Sequence, residues 1–149
     1  MKIIPADKND IPELYALQLL SFESEAEMIG SRDVPALTET AQENSADFCN
    51  WRTLKLVNDD GKIIGAIRCK EENGKINVGR LMVHPDFRRK GFAKRLLEEI
   101  DRLFPSAQKE LYTCSKSWTN IALYTQAGYK PYKEQTEPTG LSFIFFRKG

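Results

Sequence analysis

The segment Lys75 to Leu103 changes its period part-way along, and that change restricts the fold more than any other feature of the sequence. Ile76 and Val78 share one parity, as apolar residues do on one face of a strand, whereas Leu81 and Val83 share the other. Alternation that slips by one residue predicts a β-bulge near Gly79-Arg80, inside a strand spanning Lys75 to Val83. Beyond Pro85 the spacing is helical. Ala93, Leu96, Leu97, Ile100 and Leu103 line one face, and Pro105 closes the segment.

Between strand and helix lies the basic run Arg88-Arg89-Lys90-Gly91-Phe92-Ala93. A helix entered this way presents first-turn amides without partners, and the macrodipole adds partial positive charge to them. The loop therefore predicts a site for an anion such as a pyrophosphate. At Gly91 the missing Cβ lets backbone approach phosphate oxygens, small Ala93 avoids bulk, and Lys94 and Arg95 add further charge. The run has neither the G-x-x-x-x-G-K-[ST] spacing of a P-loop nor the three glycines of a dinucleotide fingerprint. Charge alone reads equally well as a solvated basic face.

The rest of the chain supplies a sheet and helices around this switch. A short strand leads to Asp10 and Glu13, at capping-box spacing, and Ile11, Leu14, Tyr15 and Phe22 suit an amphipathic helix through about Phe22. Glu23 to Asn50 is acidic and polar and reads as short helices and loops. Thr53 to Leu56 and Lys62 to Cys69 form a hairpin around Asn58-Asp59-Asp60-Gly61, and the turn Glu72-Asn73-Gly74 extends it into a meander. Leu111 to Cys114 reads as a strand, Ser117 as the cap of a helix running to Ala127 before Gly128, and Leu141 to Phe146 as the last strand.

No linker or repeat divides these elements, and 149 residues suit one domain, 1–149, able to bury a core without metal or disulfide. Lys plus Arg nearly equals Asp plus Glu, for a net charge of +1, so nothing global points to nucleic acid. No apolar run approaches the roughly 20 residues of a membrane span, and no signal segment opens the chain, so the expectation is a cytoplasmic protein. Cys49, Cys69 and Cys114 are odd in number and widely spaced, which reads as reduced thiols. With a lone His84, no metal site is expected.

Leu81-Met82-Val83-His84-Pro85 followed by Arg88-x-x-Gly91-x-Ala93 resembles the acetyl-CoA signature of the GNAT family of N-acetyltransferases, whose pattern is [RQ]-x-x-G-x-[GA]. Asn120-x-Ala122-Leu123-Tyr124 and Ala127-Gly128-Tyr129 resemble the family's second motif. The resemblance implies an α/β (α+β) fold with a mixed, mostly antiparallel central sheet, flanked by helices. The sheet would be splayed between its fourth and fifth strands, the one ending at Val83 and the one at Leu111 to Cys114.

The pantetheine arm of acetyl-CoA, the acetyl donor, would enter that gap. The arm would be held by backbone of Leu81, Met82 and Val83 and by Asn120, with the pyrophosphate on Arg88, Arg89, Lys90, Gly91, Phe92 and Ala93. The bulge would aim the amide of Met82 or Val83 at the thioester oxygen. The implied catalytic acid is Tyr124, since a tyrosine near pKa about 10 stays protonated beside a thiolate whose own pKa is about 8.5.

Some relatives place a glutamate on the strand before the loop, where this chain has Asn77, and an amide is no general base. Glu23, Glu25 and Glu39 fall in the region resembling the acceptor site, and no base is assigned among them. Their acidity, with that of Glu27 and Glu43, leans toward a cationic acceptor. His84 and Cys114 read as structural.

The expected reaction is direct acetyl transfer in a ternary complex to a primary amine of a small molecule or peptide. The alternative is an acyl-CoA sensor or interaction domain that binds without transferring. Nucleic-acid binding through the basic loop is the weakest reading. Phe143, Phe145 and Phe146 fit either a homodimer contact or the two faces of an internal strand.

Overall fold

The computed structural model describes residues 1–149 and builds one seven-stranded sheet of order β1-β2-β3-β4-β5-β7-β6. Strands β1 (Lys2–Pro5), β2 (Arg52–Val57), β3 (Ile63–Glu72) and β4 (Lys75–Val83) form an antiparallel meander. β5 (Lys109–Cys114) runs parallel to β4. β6 (Lys130–Thr136) and β7 (Ser142–Lys148) complete the sheet antiparallel, with β7 internal. The sheet is thus mixed and mostly antiparallel, as expected.

Strand alternation sends neighbouring residues to two separate cores. On one face, Leu96, Leu97 and Ile100 of α4 (Phe92–Leu103) bury against Leu54, Leu56, Ile64, Ile67, Ile76 and Val78, joined by Tyr124 of α5 (Trp118–Gln126). On the other, Leu14 and Leu17 of α1 (Ile11–Ile29) meet Ile63, Ala66 and Met82. α2 (Pro35–Thr38) and α3 (Ala41–Asp47) follow α1. The α4 stripe is the one its spacing predicts. Its close seat on the sheet depends on Gly65, where a Cβ would stand 3.1 Å from the Met82 carbonyl oxygen and 3.3 Å from Leu96 Cδ1.

Several local expectations shift. The reciprocal capping box is Asp7 with Asp10, around a 3-10 turn ahead of α1, and Asp10 makes no side-chain cap to α1 itself. α1 continues seven residues past Phe22, because Ala26 and Ile29 find buried positions that keep the helical stripe going. Ser117 precedes α5 without capping it. β6 is an additional strand, exposed along its whole length, and its polar, proline-containing sequence lacks the alternation that marks a strand with one buried face. No helix is long and apolar enough to cross a membrane.

Candidate active site

The loop between β4 and α4 holds two residues in the left-handed region, Arg89 at φ 62° and Gly91 at φ 81°. Gly91 is the N-cap and offers no side chain, and the first α4 amide to reach an acceptor behind it is Arg95, which donates to the Gly91 carbonyl at 3.1 Å. The amides of Phe92, Ala93 and Lys94 are left open, with exposed Arg89, Lys90, Lys94 and Arg95 around them. Space is not what Gly91 provides within the chain, since a Cβ there would meet nothing within 4 Å; the turn requires its positive φ.

Arg88 faces the other way. Its Nη2 donates to the Ser21 carbonyl at 2.8 Å, its Nε to the Val83 carbonyl at 3.3 Å, and its Nη1 to Ser24 Oγ. The side chain ties α1 to the end of β4, and burial lowers its pKa despite the nearby Glu25 charge.

β4 and β5 share only the rungs Ile76–Lys109 and Asn77–Glu110, after which they separate. The register between β3 and β4 slips between Ala66 and Arg68, and Arg80 sits at φ 47°, which places the bulge where the parity change predicts it. Because the His84 amide donates to Ile64 across β3 at 2.7 Å, alternation turns the amides of Val83 and Leu81 toward the gap and that of Met82 toward β3. A cavity of about 390 Å³ opens where the strands part, lined by Asn77, Val78, Leu81, Thr113, Asn120 and Tyr124 among others.

Tyr124 is buried between Tyr129 and Phe146, at ring-centroid distances of 6.2 and 5.9 Å. Burial above all, and then the charges of Glu25 and Tyr129, raise its pKa, so the phenol is neutral throughout the physiological range. Asn120, one helical turn earlier, donates through Nδ2 to Glu25 Oε1 at 3.3 Å and to Thr113 Oγ1 at 3.4 Å. Glu25 reaches this point from α1. Its burial raises its pKa above the ordinary 4.5, against the nearby Ser117 hydroxyl, hydrogen bonds from Thr113 and Asn120 and the Arg88 charge, which lower it. Glu25, Thr113 and Asn120 make a polar cluster in the cavity wall beside Tyr124.

Residues 35–148 match the family described as acetyltransferase (GNAT) domain. The chain belongs to the GNAT acetyltransferases. A Bacillus subtilis (strain 168) relative, UPF0157 protein YqkA, is 31% identical over 138 residues, which are 90% of this chain and 38% of that protein. The chain thus spans well under half the length of that relative. The ribosomal-protein-S18-alanine N-acetyltransferase of Escherichia coli shares the fold at TM-score 0.78 and 17% identity, over 98% of this chain and 91% of its own. The PaiA N-acetyltransferase of Thermoplasma acidophilum, solved in complex with coenzyme A, does so at TM-score 0.75 and 18% identity, over 97% and 98%.

In this GNAT domain the other residues singled out from sequence are distributed unevenly. Asn77 stands at the last rung before the fork and lines the cavity. His84 Nδ1 accepts from the Asp86 amide at 3.1 Å and the ring edge packs on Phe87, so it shapes the turn. Cys114 is buried with Ile29, Val34 and Leu141. Phe146 lies in the main core, while Phe143 and Phe145 face the cavity.

Of the α1–α3 acids only Glu25 enters the GNAT cavity. Glu23 pairs with Arg32, Glu39 with Arg80, and Glu43 caps α3. Three of the five acids behind the lean toward a cationic acceptor are thus engaged elsewhere, while Glu25 stays in the cavity. Glu25 could not be separated from them by spacing, because its hydrogen-bond partners come from positions 113 and 120.

Proposed function

We propose that this chain, as one N-acetyltransferase domain over residues 1–149, moves an acetyl group from acetyl-CoA directly to a primary amine in a ternary complex. The observation that carries the reading is the fork: β4 and β5 part after Asn77 around a cavity that holds a neutral, buried tyrosine. The open amides of Phe92, Ala93 and Lys94, with Arg89 and Lys90, suit the pyrophosphate, and Arg88 fixes the loop that presents them. The peptide groups of Leu81 and the amide of Val83, whose carbonyl is held by Arg88, would take the pantetheine arm as an added strand takes its partner, with Asn120 beside it. The Val83 amide is then the donor nearest the developing oxyanion.

Attack requires an uncharged amine, and Glu25, its basicity raised by burial, is the carboxylate we assign to receive the ammonium proton. The C–N bond forms as the C–S bond breaks. The departing thiolate takes the Tyr124 proton, and the proton lost by the acylated nitrogen restores the phenol. The protein's share is proximity and two proton carriers. An amine acceptor agrees with the N-acetyltransferase activity for which both structural neighbours are named.

Asn77 at the fork favours the second reading, an acyl-CoA sensor that transfers nothing, because it cannot act as a base. An acceptor screen that follows free thiol release from acetyl-CoA decides between them. Release that saturates with an amine supports transfer, whereas saturable acetyl-CoA binding without release from any amine or peptide supports the sensor.

A further inference from the structure

The cavity lining divides between the two faces of the sheet. On the face of α4 and α5 lie Val78, Leu97, Leu111 and Tyr124. On the opposite face lie Trp51, Arg68, Lys70, Arg80, Tyr112 and Lys133, and Tyr112 is 53% exposed. If the acetyl donor reaches the fork from the α4 side, the amine must come from this second face, whose character is basic and aromatic.

The cations there are incompletely matched. Arg68 lies with Cζ 4.0 Å over the Trp51 ring and donates one hydrogen bond, from Nη1 to Asp47 at 3.3 Å. Arg80 likewise donates one, from Nη1 to Glu39 at 3.1 Å. A guanidinium has five N–H donors, so most of each goes unused. Lys133 sits 4.4 Å over the Phe145 ring and has no carboxylate partner.

The acids on this face are already shared. Glu39 also accepts from Gln18 and Asn44, Asp47 from Asn50 and Trp51, and Glu110 from Lys75, Arg147 and Tyr132. Burial, and after it the Arg80 charge, pull the Arg68 guanidinium down to about 10, so the two arginines repel in a partly desolvated setting. An anion between them removes that repulsion and uses the idle donors.

Resting on the acetyl-transfer reading, we infer that the acceptor is a small amine that also carries an acid group, carboxylate or phosphate, on an apolar body. Arg68, Arg80 and Lys133 hold the acid, Tyr112 and Phe145 pack the body, and the amine points into the fork. The acceptor is thus an amphoteric small molecule, the reverse of a polycation.

The test measures thiol release for amines that differ only in the acid: phenylalanine against phenylalaninamide, and phosphoethanolamine against ethanolamine, with spermidine as the polycation. The acid member of at least one pair should lead its neutral partner by about tenfold or more in kcat/KM, as expected for a charge-assisted bond. Which pair responds separates carboxylate from phosphate. Arg68→Gln and Lys133→Ala should each shrink that ratio through KM, with coenzyme A affinity measured as the check on folding.

Equal or better turnover of the neutral amines or spermidine overturns the inference and leaves acetyl transfer standing. A second measurement does not depend on turnover. N-acetylphenylalanine or N-acetylphosphoethanolamine, titrated against tryptophan fluorescence with Trp51→Phe as the blank, should give a saturable change that the uncharged analogues do not. No change with either anion overturns the inference even in a protein that releases no thiol.

Discussion

Asn120 Nδ2 lies 3.3 Å from Oε1 of Glu25, a residue ninety-five positions earlier, and this contact joins α5 to α1 across the open end of the sheet. Glu25 is mostly buried, and that burial raises its pKa. A carboxylate whose folded pKa exceeds its unfolded one favours the folded state most when protonated, below the ordinary value of 4.5, and loses that advantage as pH rises through the folded pKa. Glu25→Gln should therefore raise the melting temperature at pH 7, with the gain over the parent shrinking as pH falls toward 4.5. If Glu25 also receives the ammonium proton, the same variant should lose roughly a hundredfold in turnover. Thermal melts from pH 4 to 8, set beside thiol-release rates, check both halves.

Gly65 is a steric requirement. Its φ is ordinary, but a Cβ would press on the Met82 carbonyl at 3.1 Å, Leu96 Cδ1 at 3.3 Å and Leu56 Cβ at 3.5 Å. Backbone of β4 cannot yield as a side-chain end can, and Met82 stands just past the bulge. Gly65→Ala should cost about 1–3 kcal/mol in urea unfolding, as overpacking of a core does. It should also weaken coenzyme A binding by shifting α4 and the loop that precedes it, which calorimetry would detect.

Much of this architecture was legible because local pattern and burial agree. The slip from Ile76 and Val78 to Leu81 and Val83 is the bulge itself, since one residue inserted in a strand must exchange its two faces. The α4 stripe was legible for the same reason. β6 was not: an edge strand with both faces in water has no need to alternate, and Lys130-Pro131-Tyr132-Lys133 reads as loop. Arg88 matched a phosphate motif, yet its guanidinium is directed to carbonyls of Ser21 and Val83, a choice set by how α1 docks. Glu25 acquires its environment only when α1, β5 and α5 meet.

Gly91 offers a test of backbone conformation alone. With φ at 81° and open space where a Cβ would stand, Gly91→Ala introduces no clash and only the left-handed penalty of an L-residue, about 1–2 kcal/mol. The chain can relieve it by unwinding the loop, which would move the amides of Phe92 and Ala93. The expected result is a modest fall in thermal stability with a larger fall in coenzyme A affinity. Equal affinity for variant and parent would separate the loop from the pyrophosphate.

Tyr124→Phe isolates the phenolic hydroxyl. No hydrogen bond offsets the burial of that group, and its pKa is raised by desolvation first and by Glu25 and Tyr129 after it. Removing a hydroxyl without a protein partner should change stability by less than about 1 kcal/mol, because the ring keeps its packing against Tyr129 and Phe146. Turnover should nevertheless drop by roughly a hundredfold if the hydroxyl protonates the thiolate. The loss should be smallest for acetyl donors whose thiol is more acidic, since such a leaving group needs no proton. Rates for acetyl-CoA and for an activated aryl thioacetate, measured in parent and variant, give the comparison. Equal rates for parent and variant with acetyl-CoA across pH 6 to 9 would remove Tyr124 from the chemistry, and an equal loss with both donors would assign it to binding instead.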